Sequence, residues 1–323
     1  MADRHDAPVL LVGESAWRDI RGRATALVPS LRAVTYAGPD PLPDEVLADV
    51  TIGYFSGDAW PERTPGLAVS MLKSDGLRWM QTFSAGVDNK FFDLVLAKGT
   101  RLTTASGASA SPIAQTVVMY LLALSRDLRG FVRSQEAHRW EPREIEELDG
   151  STLLVAGTGP IGSEVARLGE ALGMTVEAVR RSPRGDEPRT TWPIGRLHEA
   201  LGRADWVVSA LPLADGTRGI FGADAFAAMR PGARFVNVGR GELVDEAAMI
   251  GALRSGRLAG AALDVFAVEP LPPDSPLWDM PNVIVTPHSS GESSRATERV
   301  HDLFLDNLAR WTSGRSLVNE VVR

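Results

Sequence analysis

The sequence predicts an α/β chain of about two domains, each built on a mostly parallel sheet. Three observations carry this. The chain has 323 residues, and a domain takes roughly 100–200. Short apolar runs alternate with polar or helical stretches, first near the N-terminus and again from Ser151. At 157–162 the stretch GTGPIG joins an apolar run to a helical pattern, as a βα unit requires.

Taken in order, residues 9–12 read as a strand and 16–28 as a helix, followed by strands at 32–36, 51–55 and 77–83. Next comes one long helix. Ser111 suits its N-cap and Pro112 its first position. Ile113, Val117, Leu121, Leu124 and Leu128 keep one face apolar, and Gly130 is the expected stop. The charged stretch 131–150 reads as a solvated connector. The second series has strands at 152–156, 175–179, 206–211, 234–238, 260–264 and 283–286. A last helix at 293–311, with Val300, Phe304, Leu308 and Trp311 roughly on one side, could carry the chain back to the first domain.

Composition narrows the function. Net charge is −7 with no basic block, which argues against a nucleic-acid footprint. The chain has no cysteine, which removes disulfides, thiolate catalysis and Cys-bound metals. The five histidines (His5, His138, His198, His288, His301) are scattered without H-x-x-x-H spacing, so no metal site is expected. The opening MADRHDAPVLLVG lacks the features of a signal peptide, and no run of 18 apolar residues occurs. The expectation is a soluble cytoplasmic protein.

The glycine stretch points to a dinucleotide. Gly157, Gly159 and Gly162 fit G-x-G-x-x-G between an apolar strand and a helix, with a second strand closing the βαβ unit. Gly157 allows the tight turn, Gly159 the approach of a pyrophosphate, and Gly162 close helix–strand packing. Pro160 and Ile161 open the helix, whose N-terminal N–H groups face an anion favourably. At the end of the second strand, NAD-binding chains place an acid for the ribose 2′-OH. Here the residues are Arg180, Arg181 and Ser182, which suit a 2′-phosphate. An Asp about 4 Å from that phosphate would repel it by roughly 4 kcal/mol at an effective dielectric of 20. The expected cofactor is NADP(H), with NAD(H) possible.

The catalytic candidates lie past later strands. In VNVGRGELVD, Arg240 stands between Gly239 and Gly241 at a strand end, where ligands of open α/β sheets bind. Glu269 follows the next strand and His288 the last. Beside a nicotinamide this trio suits reduction of a 2-keto acid. His288 would deliver the proton near neutral pH. Glu269 would favour the imidazolium and fix its tautomer. Arg240 would bind the substrate carboxylate and polarise the keto oxygen. The flanking glycines would then give substrate and cofactor close access.

In order and spacing GTGPIG, VNVGRGELVD, ALDVFAVEPLP and TPH are similar to the D-isomer specific 2-hydroxyacid dehydrogenase family, and the resemblance covers nearly the whole chain. It implies two doubly wound domains, a Rossmann cofactor domain at 107–288 and a flavodoxin-like substrate domain from 1–106 and 289–323. The active site would lie in the cleft between them. It also implies Arg240, Glu269 and His288 as catalytic residues. FSAGVDN matches the family's carboxylate-binding loop, with the N–H groups of Ala85 and Gly86 as donors. Asp264 matches a residue that bonds the nicotinamide carboxamide. Pro212 matches a cofactor-lining position, with Thr217 nearby, and Val238 and Gly239 are expected beside the cofactor. Members are commonly homodimers through the cofactor domain. Gln115 departs from the family's usual Glu near the hinge. The arginine pair resembles NADP-preferring glyoxylate/hydroxypyruvate reductases, which makes glyoxylate and hydroxypyruvate the first expected substrates.

Two other readings stand beside this one. Some relatives are dinucleotide-sensing corepressors, for which protein binding is the function. Formate and phosphite dehydrogenases share the fold. Pro287 before His288, in place of the formate branch's Gln, favours 2-hydroxyacid chemistry, and phosphite oxidation stays open. The substrate side chain is expected at loops such as 54–57 and at Ser289, Ser290 and Arg295. Trp60, Trp140 and Trp278 could line that pocket, pack, or meet a second subunit.

Overall fold

A computed structural model describes residues 7–87 and 89–321; His5 and Asp88 lie outside them. The chain divides into two compact units, Met1–Ser109 with Ser293–Arg323, and Ala110–Glu292. The crossovers fall at 109/110 and 292/293, against expected boundaries of 106/107 and 288/289.

The first unit runs β1 (Val9–Gly13), α1 (Glu14–Leu27), β2 (Arg32–Tyr36), α2 (Asp44–Leu47), β3 (Ile52–Phe55), α3 (Thr64–Lys73), β4 (Trp79–Thr82), α4 (Lys90–Ala97) and β5 (Arg101–Thr103). Its sheet is parallel in the order β2-β1-β3-β4-β5, the flavodoxin-like arrangement. The uninterrupted apolar run VLLVG of β1 is explained by burial on both faces. Val9 and Leu11 join Met71, Met80 and Phe92 on one side, and Leu10 and Val12 join Ile20 and Trp79 on the other.

The second unit runs α5 (Ala110–Ser125), α6 (Leu128–Glu136), β6 (Thr152–Ala156), α7 (Pro160–Ala171), β7 (Thr175–Arg180), β8 (Thr191–Pro193), α8 (Leu197–Leu201), β9 (Trp206–Ser209), α9 (Ala223–Ala228), β10 (Ala233–Asn237), α10 (Glu246–Arg254), β11 (Leu258–Leu263) and β12 (Val283–Val285). All pairings are parallel, in the order β12-β11-β10-β9-β6-β7-β8. The direction of winding reverses between β6 and β9, which is where a doubly wound sheet opens a crevice at its carboxyl edge.

The chain then returns to the first unit through α11 (Ala296–Thr312). Its buried Phe304 stacks on Tyr54 at 4.3 Å and on Trp79 at 5.7 Å between ring centres. Beyond it the last residues pair with β5. Val321 N–H donates to Leu102 O at 2.8 Å, and Arg101 binds both carboxylate oxygens of Glu320 at 2.5 and 2.6 Å. Asn307 on α11 donates to Gln81 Oε1 at 2.9 Å and accepts from Val318 N–H at 2.8 Å.

Two expectations need correction. The long helix is two helices: α5 ends at Ser125, and Asp127, left-handed at φ 45°, caps α6 by accepting from Gly130 N–H at 3.1 Å. Gly130 therefore lies inside a helix and does not end one. A Cβ there would come 2.0 Å from the capping carboxylate of Asp127. The connector begins helical for the same reason, since α6 continues to Glu136. The three-residue strands β5 and β8 went unforeseen, being too short to show a period.

Among the described residues no helix is long and apolar enough to cross a membrane, and no cluster of three or more His, Asp or Glu could hold a metal ion.

A tight contact ties α7 to the sheet: a Cβ on Gly162 would lie 1.8 Å from Gly157 O. Gly162→Ala should therefore destabilise the ligand-free protein by about 1–3 kcal/mol. Calorimetry should read this as a lower melting temperature, and an unchanged one would show that α7 shifts away freely.

Candidate active site

The carboxyl edge at the β6–β9 reversal is built by glycine. Gly157 follows β6 with φ 108°, and a Cβ there would meet Ala210 O, just past β9, at 2.5 Å. The two loops are thus in backbone contact. Gly159 differs, with nothing within 4 Å of its would-be Cβ. It is the N-cap of α7, Pro160 takes the first helical position, and no side chain caps the helix. An uncapped helix end facing open space at the reversal point fits a dinucleotide pyrophosphate. Ile161 packs its side chain against the apolar cluster under the sheet, which leaves its backbone N–H for an anion.

The end of β7 departs from expectation. Arg180 donates to Glu187 Oε1 at 3.2 Å. Glu187 also accepts from Arg184 N–H at 2.5 Å and Gly185 N–H at 2.8 Å. These bonds, that from Arg184 foremost, hold its carboxyl below the usual range. No acid follows Arg180 directly in sequence, yet the 181–187 turn folds one back onto it. Arg181 and Ser182 are exposed beside this pair.

The next loop carries Pro212, which is exposed, and Thr217, which is buried. Thr217 Oγ1 donates to Pro212 O at 2.8 Å and accepts from Ala214 N–H at 2.8 Å. It thereby ties the loop together. Val238 is likewise buried, in the apolar layer with Val208 and Ala262.

Arg240, Glu269 and His288 follow β10, β11 and β12, whose last residues Asn237, Leu263 and Val285 are in register. The side chain of Asn237 braces the first loop, accepting from Gly239 N–H at 3.1 Å and donating to Arg240 O at 3.0 Å. The Arg240 guanidinium donates to Gly239 O at 2.8 Å. The flanking glycines are buried and do not clear space for a ligand. A Cβ on Gly239 would lie 2.8 Å from Leu211 O, and one on Gly241 only 1.8 Å from the carbonyl carbon of Phe266. They let the Arg240 loop press against its two neighbours.

The neighbour after β11 carries Glu269. Its Oε1 accepts from Phe266 N–H at 2.9 Å, and its Oε2 lies 2.7 Å from His288 Nδ1. His288 is left-handed at φ 51°, and half its side chain is exposed. Asp264 fixes this loop. Its carbonyl accepts from His288 N–H at 2.8 Å, and its carboxylate accepts from Thr286 Oγ1 at 2.6 Å, Ser289 N–H at 3.1 Å, Ser290 N–H at 3.1 Å and the Ser290 hydroxyl. Thr286 in turn accepts from the Tyr120 hydroxyl, whose pKa burial pushes up to about 12. The Asp264 carboxylate is buried and its acceptor sites are filled by these bonds. Glu187, Asn237, Thr286 and Tyr120 were not foreseen, since none stands in a local motif.

The first unit holds the other expected donors. Ser84 Oγ donates to Gly86 O at 2.8 Å and shapes the turn. Among the described residues, the N–H groups of Ala85 and Gly86 have no protein acceptor.

Comparison with known proteins gives this geometry a lineage. Residues 118–290 match the family described as D-isomer specific 2-hydroxyacid dehydrogenase, NAD binding domain. A glyoxylate/hydroxypyruvate reductase B from Escherichia fergusonii is 35% identical over 73% of this chain and 75% of its own. A glyoxylate reductase from Aeropyrum pernix is 34% identical over 76% of this chain and 78% of its own. A D-isomer specific 2-hydroxyacid dehydrogenase from Xanthobacter autotrophicus, solved with NADPH, is similar with a TM-score of 0.81 and 29% identity, covering 98% of each chain. An NADPH-dependent glyoxylate/hydroxypyruvate reductase from Sinorhizobium meliloti, solved with NADP and malonate, has a TM-score of 0.74 and 29% identity, covering 98% of this chain and 97% of that one. The chain belongs to the D-isomer specific 2-hydroxyacid dehydrogenase family of NAD(P)-dependent oxidoreductases.

Proposed function

We propose that the protein reduces a 2-keto acid to the 2-hydroxy acid with NADP(H), glyoxylate and hydroxypyruvate being the reference substrates by analogy with the relatives' names. The observation that carries the mechanism is the 2.7 Å contact between His288 Nδ1 and Glu269. A carboxylate there keeps a proton on Nδ1 and leaves Nε2 as the nitrogen that exchanges a proton with substrate. The bound nicotinamide supplies the hydride. His288 Nε2 gives its proton to the keto oxygen as charge develops there, and the neutral ring that results keeps its bond to Glu269. Arg240 binds the substrate carboxylate and draws electron density from the keto carbon. The Phe266 N–H aims Glu269, and Asp264 aims His288, both by positioning alone.

The cofactor pyrophosphate would be held by backbone N–H groups at Gly159 and Ile161, where Gly157 makes the turn, Pro160 opens the helix and Gly162 packs it closely, and Pro212 would line the path. Arg181 and Ser182 are the principal groups for a 2′-phosphate, because Glu187 partly neutralises Arg180. The apolar side chains of Met119, Leu122, Leu128, Val132 and Trp140 are exposed on and after α5 and α6, which supports a homodimer through this unit.

His288→Ala should lower turnover by about 10²–10⁴, and Arg240→Ala by about 10²–10³, with dinucleotide binding retained in both. Near-wild-type rates in either variant would end this mechanism. Arg181→Ala should weaken binding of 2′-phosphate dinucleotides, and Glu187→Gln should strengthen it by roughly tenfold or more. NADH binding should barely change in either case. Fluorescence titration checks both, and no change in either variant would show that the β7 end does not meet the phosphate. Light scattering should give a dimer that Leu128→Glu with Val132→Glu turns into a monomer. A monomeric wild type would remove the interface.

A further inference from the structure

The first unit contains a cavity of about 440 Å³ that the proposed chemistry leaves unused. Phe55 at the end of β3, Trp60 after it, Phe83 after β4, and Phe91 and Phe92 on α4 line it, together with Ala68 of α3. The rings form a connected set. Phe55 lies 5.0 Å from Phe91 and 6.1 Å from Phe83, and Trp60 lies 6.4 Å from Phe83, centre to centre. Trp60 is 64% exposed, a large apolar surface at the margin of the cavity.

Three polar side-chain atoms of the wall are engaged with the protein's own backbone. Thr64 Oγ1 donates to Ala59 O at 3.1 Å, Ser84 Oγ donates to Gly86 O, and Asn89 Oδ1 accepts from Phe91 N–H at 2.9 Å. Among the described residues no charged side chain lines the space. It therefore offers mainly burial and ring contact, with the Asn89 amide and the Trp60 indole N–H as its polar groups. Gly86 and Ser84 belong to both the cavity wall and the turn that presents the unpaired N–H groups of Ala85 and Gly86. A carboxylate on that turn would place the rest of the molecule beside the aromatic wall.

We propose that this cavity receives the side chain of the substrate, and that the substrate class is the 3-aryl-2-keto acids. In these the ring stands one methylene from the keto carbon. The volume falls in the range of small-molecule sites. Glyoxylate, with no side chain, would leave it empty. The inference rests on the reading that the protein reduces a 2-keto acid.

The test is a comparison of kcat/KM for phenylpyruvate and glyoxylate in the wild type, Ala68→Phe and Ala68→Leu. The wild type should prefer phenylpyruvate at least tenfold. Filling the cavity should cut that ratio at least tenfold in Ala68→Phe and less in Ala68→Leu, which covers the case of a misfolded Phe variant. A wild-type preference for glyoxylate, or a ratio that ignores the filling, would overturn the proposal while leaving 2-keto acid reduction intact. Calorimetric binding of phenylpyruvate separates the two readings. If no 2-keto acid is turned over, yet phenylpyruvate binds the wild type and not the filled variants, the cavity assignment stands and the reductase reading falls. If phenylpyruvate neither binds nor reacts, the cavity assignment falls too.

Discussion

The buried carboxylate of Asp264 is the point on which the candidate site depends. An apolar layer could bury the ends of β11 and β12, but it could not dictate the path of the chain beyond them. Asp264 does so by gathering the Thr286 hydroxyl, two successive backbone N–H groups and the Ser290 hydroxyl around one side chain. With the His288 N–H bound to the Asp264 carbonyl, the loop has one conformation that satisfies every donor, and His288 is left-handed within it. A half-satisfied version would strand polar groups away from water, which costs about 1–3 kcal/mol each. Such a network rigidifies what it surrounds. Tyr120 extends it to α5, a helix far away in sequence.

Glycine supplies a second constraint on the same edge. Gly157 brings the β6 loop against the β9 loop, and Gly239 and Gly241 bring the β10 loop against those after β9 and β11. The loops stack backbone to backbone, so a side chain fixed on one is fixed relative to the next. Arg240 and Glu269 inherit their places from this stacking. Gly159 alone among these faces open space, and it is the N-cap of α7.

Much of this was legible in the sequence because it resides in local chemistry. The spacing of GTGPIG, the apolar runs of β1 and β6, and the isolated polar residues after β10, β11 and β12 each stand out within a few residues. What could not be read depends on chain returning from elsewhere. Glu187 meets Arg180 only because the turn between them closes, and the partners of Asp264 come from Thr286, Ser289 and Ser290, more than twenty residues on. The glycines beside Arg240 look like clearance from the sequence and prove to be packing. The break at Asp127 is a cap formed within an unbroken helical pattern. The aromatic residues at 55, 60, 83, 91 and 92 follow no period, and only the sheet gathers them.

The first unit's construction from both ends of the chain bears on how the protein is made. A ribosome releases β1 to β5 first, while the face awaiting Phe304, Leu305 and Leu308 is still bare and β5 lacks its partner at Glu320. The intervening unit is complete in sequence at Glu292 and can reach its native contacts before the earlier strands reach theirs. The nascent first sheet thus carries an exposed apolar face and an open edge through the synthesis of nearly two hundred residues, a state prone to aggregation. Its pairing at β5 waits for the residues around Glu320, and a chain truncated shortly before Asn307 would lack the clasp altogether.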